Sequence, residues 1–191
     1  RIDSSAFDDR RMALRAVATG DALLAALSRA AGKKMTPANL AVLPQIAAEV
    51  DRLAWRLPVF LRQQASFPYR EGGQFVYWAL AAKGWQGVDA LYADPPRTTA
   101  QVLHPEKYFI ERDHPAHFFP AALLRRLKTN SLVEDSIGEW SIRALLEGEH
   151  GQKYAADTAE KWRGDQLFSL QNDADLNTFW FSSWNGENAA E

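Results

Sequence analysis

FPYREGGQFVYWALAAKGWQGVDALYADPPRTTAQVLHPEKYF, residues 67–109, is the stretch whose reading decides the fold. Phe75/Ala79 and Val76/Leu80 are i,i+4 apolar pairs, so a helix is predicted from about Glu71 to Ala82, ended by Gly84. Val88, Leu91 and Tyr92 mark a short second helix, stopped by Asp94-Pro95-Pro96. Thr98 or Thr99 caps a further turn, and His104-Pro105 ends it. Short apolar helices with abrupt Gly and Pro stops form a packed helical unit rather than a sheet.

Toward the N-terminus, Leu14, Val17, Ala18, Leu24 and Leu27 recur at three- and four-residue steps, so Asp8–Ala31 reads as one helix, stopped at Gly32. Thr36-Pro37 starts the next, with Thr as cap and Pro at the first helical position, running to about Arg52. An apolar and aromatic segment, Leu53–Phe67, is broken at Pro58. Toward the C-terminus, Glu106–Pro120 reads as an ordered loop, and Leu123, Leu124 and Leu127 start a helix. Glu134–Leu146 reads as helical, followed by a polar break at Gly148–Gly151 and a helix to about Trp162. The period then changes. Leu167–Gln171 and Thr178–Ser183 are strands around an Asn172-Asp173-Ala174-Asp175 turn. The expected fold is α+β and predominantly helical, with a small C-terminal β-hairpin, in a single domain spanning residues 1–191.

Composition sets bounds. Hydrophobic residues are 47% and charged residues 24% of the 191, a globular balance. Ten Phe, seven Trp and five Tyr supply enough buried area to dispense with disulfides. The absence of Cys removes thiol catalysis and thiolate metal sites from this chain. A net charge of -2 without a basic stripe argues against nucleic acid as a partner. No apolar run approaches the about 20 residues that span a bilayer. The chain begins at Arg1, and residues 185–191 resemble an interrupted helix start, so both ends are expected to be cut from a longer protein.

The order Pro68-Tyr69, Gly72, Phe75-Val76, Gly84-Trp85, Val88-Asp89, Tyr92, Pro95-Pro96 and Gln101-Val-Leu-His104-Pro-Glu106-Lys-Tyr108 resembles bacterial zincin-like (gluzincin-like) proteins, which include metallopeptidase-like chains and lipoproteins of unassigned function. Asp135-Ser-Ile-Gly138-Glu139-Trp140 is similar to that family's Gly-Glu-aromatic helix, and Trp162-Arg-Gly-Asp165-Gln to the turn opening its terminal hairpin. The resemblance covers the chain from about Asp8 onward. It implies zinc held by an HExxH helix that would lie before Arg1, since two His four apart share one helix face and the Glu activates a metal-bound water. It also implies a third ligand from a Glu-Gly-Asp-Ala motif. The matching positions are Thr19-Gly20-Asp21-Ala22, with a neutral hydroxyl in place of the carboxylate. No HExxH occurs in the 191 residues. Zinc therefore enters only with an upstream HExxH, and Asp21 takes the place of a group that orients a ligand. The family is commonly exported, which implies a periplasmic or secreted location.

Five residues are candidates for binding. Asp21 stands on the otherwise apolar side of its helix and needs a partner or a polar cleft. His104 and Glu106 would line a cleft; the plainer reading is a helix stop followed by polar surface. Glu139 is a candidate cleft carboxylate, with an exposed helix position as the plainer reading. Tyr69, with Phe75, Tyr77, Trp78, Trp85 and Tyr92, would form an aromatic platform for a ligand, core packing being the plainer account. His114 and His117 form an HxxH that is a weak metal candidate. No catalytic residue is assigned. Three functions compete: a non-catalytic zincin-like domain binding a peptide or cell-envelope component, the C-terminal part of a zinc-dependent peptidase, and a purely structural module.

Overall fold

Thr36 and Asn39 show how local chemistry starts an element in this chain. The Thr36 backbone N–H and hydroxyl both donate to Asn39 Oδ1, at 2.8 Å each, and Asn39 N–H returns a bond to the Thr36 carbonyl at 3.0 Å. The computed structural model describes residues 8–32, 35–118, 133–172 and 175–186. It is mostly helical with a small antiparallel sheet near the C-terminus, an α+β fold. It contains two compact units. One holds Met12–Arg112, and the other joins the start of the chain through Arg11 to the residues from Asp113 onward.

The Met12–Arg112 unit is helical. It contains α1 (Asp9–Ala31) from its second turn, a 3-10 turn at Pro37–Val42, α2 (Leu43–Leu53) and α3 (Val59–Lys83). It continues with α4 (Trp85–Ala93), α5 (Thr99–Leu103) and the single turn α6 (Glu106–Phe109). Backbone contact organises it. A methyl group on Gly20 of α1 would meet the Gly72 carbonyl carbon at 2.5 Å, and one on Gly72 would meet the Ala16 Cα at 2.9 Å. Ala16 and Gly20, four apart, form one smooth stripe against α3. Gly73, the next residue of α3, makes room for Leu43 of α2, whose Cδ1 would lie 2.9 Å from an added methyl. Phe67, Phe75 and Val76 of α3 fill the interior. Full burial of such a side chain contributes about 1.5–3 kcal/mol.

Helix α3 differs from expectation. It begins at Val59, directly after Pro58, and continues through Pro68 instead of starting near Glu71. Proline in a helix removes one backbone bond and disfavours the preceding turn. Here Phe67 and Pro68 are both buried, so tertiary packing outweighs that cost. The Ser66 hydroxyl bonds to the Gln63 carbonyl at 3.1 Å beside the interruption. Thr98 is the cap of α5, accepting from Gln101 N–H.

The second unit contains β1 (Val133–Asp135), α7 (Gly138–His150), α8 (Gln152–Ala159), β2 (Trp162–Asn172) and β3 (Asp175–Trp184). The strands lie in the order β1-β2-β3, all antiparallel, with Glu134 opposite Phe168 and Phe168 opposite Phe179. The expected helix at Glu134 is instead a strand followed by a helix that starts at Gly138. Helix α7 passes Gly148 and stops at Gly151, whose φ of 80° breaks it. Trp162 opens a strand rather than closing a helix. The expected hairpin is present with longer arms; residues 173 and 174 of its turn, and the helix expected at Leu123–Leu127, lie outside the described residues.

Candidate functional site

In the helical unit, Asp21 is the candidate with a specific partner. Gly84, at φ 63°, turns the chain from α3 into α4, and Gly87 lets α4 lie against α3 near the Ala79 carbonyl. Val88 and Leu91 of α4 are buried, which leaves Tyr92 on another side of that helix. Its Oη donates to Asp21 Oδ2 at 2.7 Å. Burial, followed by the bond to Asp21 and the charges of Asp21 and Asp89, raises the Tyr92 phenol to about 12. Tyr92 therefore remains a hydrogen-bond donor at neutral pH and does not serve as a base. Asp21 is half-buried and Tyr92 is 54% exposed, so the pair lies at the surface of this unit.

The other candidates in this unit occupy separate places. Tyr69 is half-buried on α3. His104 follows α5, with Nδ1 3.8 Å from Glu106 Oε1. That pair provides one imidazole and one exposed carboxylate. The aromatic residues divide: Phe75 is fully buried, whereas Trp78, Trp85 and Tyr92 are exposed. Phe75 meets Tyr108 edge-on at 5.3 Å, and Trp78 stacks on Phe109 at 6.2 Å. Tyr108 Oη donates to the Asp94 carbonyl, and Arg112 bonds to the Asp94 carboxylate while lying 4.4 Å over the Tyr108 ring. The Arg112 bond holds the Asp94 carboxyl below its usual range. This network ties the Pro-Pro stop to the chain that follows α6. An open apolar depression of about 430 Å³ lies between the end of α1 and the 3-10 turn, lined by Leu27, Ala30, Ala38, Val42 and Gln45.

In the second unit, Glu139 is buried, 2% exposed, in the first turn of α7, which corrects the expectation of an exposed helix residue. His114 and His117 are exposed. They lie in a segment without helix or strand, so this HxxH is not the one-faced pair that a helix would give. The principal polar centre was not singled out from the sequence. Asp165 of β2 accepts five bonds: Ser136 Oγ and Gly138 N–H at 3.0 and 3.1 Å, Trp162 Nε1 at 3.0 Å, and Ile137 N–H and Trp180 Nε1 at 2.8 Å each. It caps the start of α7 from a strand 27 residues away. Asp9 presses on the same turn, leaving no room for a side chain on Gly138, whose added methyl would lie 2.8 Å from Asp9 Cβ.

These residues do not make a zinc donor set. Thr19 is neutral, Asp21 is engaged by Tyr92, and among the described residues no three His, Asp or Glu side chains are grouped to hold a metal ion.

No family model, curated protein or solved structure matches this chain.

The signal for Asp21 was its position on an apolar helix side. Tyr92 was visible only as an aromatic residue, and Asp165 only as part of a turn. Among the described residues, no helix is long and apolar enough to cross a membrane.

Proposed function

We propose that this chain is a non-catalytic, zincin-like domain that binds an extended peptide of an exported or cell-envelope protein through its helical unit. The Asp21–Tyr92 bond carries the reading. A phenol kept protonated uses one hydrogen bond to orient Asp21 Oδ2, leaving Oδ1 to accept a peptide N–H or ammonium group. The apolar depression beside the 3-10 turn has the chemistry to take an aliphatic side chain. Thr19 in the place of a carboxylate supports binding over zinc-dependent hydrolysis.

A displayed library of random peptides, screened on the 191-residue chain, tests the reading. Recovered peptides should bind the Asp21→Asn and Tyr92→Phe variants at least about tenfold more weakly, because a hydrogen bond to a charged group is worth about 1.5–3 kcal/mol. Failure to recover a peptide, or equal affinity for the variants, refutes it; selective binding of cell-wall glycan fragments in its place transfers recognition to a saccharide.

A further inference from the structure

The outer strand of the described sheet, β3, has the sequence Leu176-Asn-Thr-Phe-Trp-Phe-Ser-Ser-Trp184, nine residues without a charge, a proline or a glycine. Among the described residues β3 pairs only with β2, and it ends the sheet. Natural edge strands are blunted by lysine, proline, bulges or short length, because an open ladder recruits another strand. Apart from Asp175 at its first position, this ten-residue strand carries none of these.

The segment is also close to symmetric about Trp180. A second β3 laid antiparallel with the two-fold axis at Trp180 puts Phe179 opposite Phe181, Thr178 opposite Ser182, Asn177 opposite Ser183 and Asp175 opposite Asn185. Aromatic pairs and Thr–Ser hydrogen bonds are favoured cross-strand partners, and no like charges face each other. The faces agree as well. Thr178 already bonds with Ser169 of β2 at 3.2 Å, and Ser182 of the second copy would extend that hydroxyl row. Trp180 is 45% exposed, and its indole is tied to Asp165 of β2, so its ring is drawn over β2 and leaves the outer backbone edge at the axis open among the described residues.

We infer that β3 pairs antiparallel with β3 of a second copy of this chain, making a continuous six-stranded sheet across a two-fold axis. The pairing is independent of the peptide-binding reading. Sedimentation equilibrium of the intact chain should give twice its 21.4 kDa mass. Asn177→Lys with Ser183→Lys places lysines opposite one another at both ends of the pairing and should return the monomer mass with an unchanged circular dichroism spectrum. Mixing it with the Asn177→Glu, Ser183→Glu chain should restore the doubled mass. As a milder check, Asn177→Cys chains mixed with Ser183→Cys chains should form a disulfide-linked pair under oxidation, since directly opposed Cα atoms lie about 4.5–5.5 Å apart. Asn177→Cys alone should not, because its symmetry mate lies several residues along the ladder. A monomeric native chain, a dimer that survives the lysines, or cross-linking of Asn177→Cys alone overturns the inference.

Discussion

Replacing Asp165 by asparagine should cost nearly as much stability as replacing it by alanine, although asparagine preserves the shape. The carboxylate accepts only: Oδ1 takes Ser136 Oγ, Gly138 N–H and Trp162 Nε1, and Oδ2 takes Ile137 N–H and Trp180 Nε1. An amide has one accepting oxygen. In either orientation its NH2 group faces at least two donors that it cannot satisfy. Alanine orphans the buried Gly138 and Trp162 N–H groups at about 1–3 kcal/mol each, whereas asparagine with its oxygen toward these donors leaves the part-buried Ile137 N–H and Trp180 Nε1 facing an NH2 group. Loss of the cap on α7 adds about 1 kcal/mol. The contributions are not additive, and a net loss of about 3–5 kcal/mol is expected for alanine and about 2–4 kcal/mol for asparagine. With a urea slope of about 2 kcal/mol per molar, the midpoint falls by about 1–2 M for asparagine. Hydrogen exchange of peptides from residues 133–172 in a urea series reads this unit by itself. Ser136→Ala, which removes one half-exposed donor, should cost only about 1 kcal/mol. An Asp165→Asn midpoint within about 0.3 M of the native protein would show that Asp165 fills space and that its hydrogen bonds do not hold α7.

Gly72→Ala should destabilise the helical unit by about 2 kcal/mol, because the overlap with the Ala16 backbone costs about 3 kcal/mol and better helix propensity returns about 1. Gly148→Ala, in α7 with nothing within 4 Å, should stabilise by up to about 1 kcal/mol; chemical denaturation of the two variants should shift in opposite directions. Tyr92 has a folded-state pKa of about 12, above the value of about 10 for an unfolded phenol. Its contribution to stability is therefore complete below pH 10 and is lost as pH rises through about 12. Burial raises the Tyr108 phenol as well, so ultraviolet titration at alkaline pH should show late phenolates, one of which is absent in Tyr92→Phe and moves earlier in Asp21→Asn; an unmoved curve in Asp21→Asn would disprove the coupling.

The parts of the fold legible in the sequence were those whose cause is local. Thr36, Pro37, Gly84 and the Asp94-Pro95-Pro96 stop each act within a turn of their own position, and α1 announces itself by apolar spacing. Pro68 misled because its local penalty is plain in sequence, while the burial of Phe67 that outweighs it is not. Strand β1 was read as helix because its partner residues, Leu167–Ser169, lie more than thirty positions away and leave no trace beside it. The same limit governs the site. An aspartate on an apolar helix side signalled that Asp21 needs a partner, but not that Tyr92, 71 residues on, supplies it. Asp165 gathers donors from β1's end, α7, β2 and β3, and no one of those segments discloses the assembly.

The Gly20-Asp21 pair has a structural explanation that does not depend on metal chemistry. Successive residues of a helix point about 100° apart. Gly20 points at α3, where only hydrogen fits against the Gly72 backbone, and Asp21 points at α4, where Tyr92 donates to it. A helix packed against two neighbours requires a small residue on one side, and it can place a polar one on the next. Gly20 and Asp21, two of the three positions that match the motif on α1, therefore satisfy packing whether or not a metal ever bound nearby. In the proposed binding role, what remains for a ligand is the second carboxylate oxygen of Asp21, the one Tyr92 does not occupy. Asp21→Asn and Tyr92→Phe separate the two roles: Tyr92→Phe removes the packing bond and lowers the stability of the helical unit, whereas Asp21→Asn keeps an oxygen that accepts from Tyr92 and loses the negative charge, and with it the strong acceptor for a cationic or N–H ligand group.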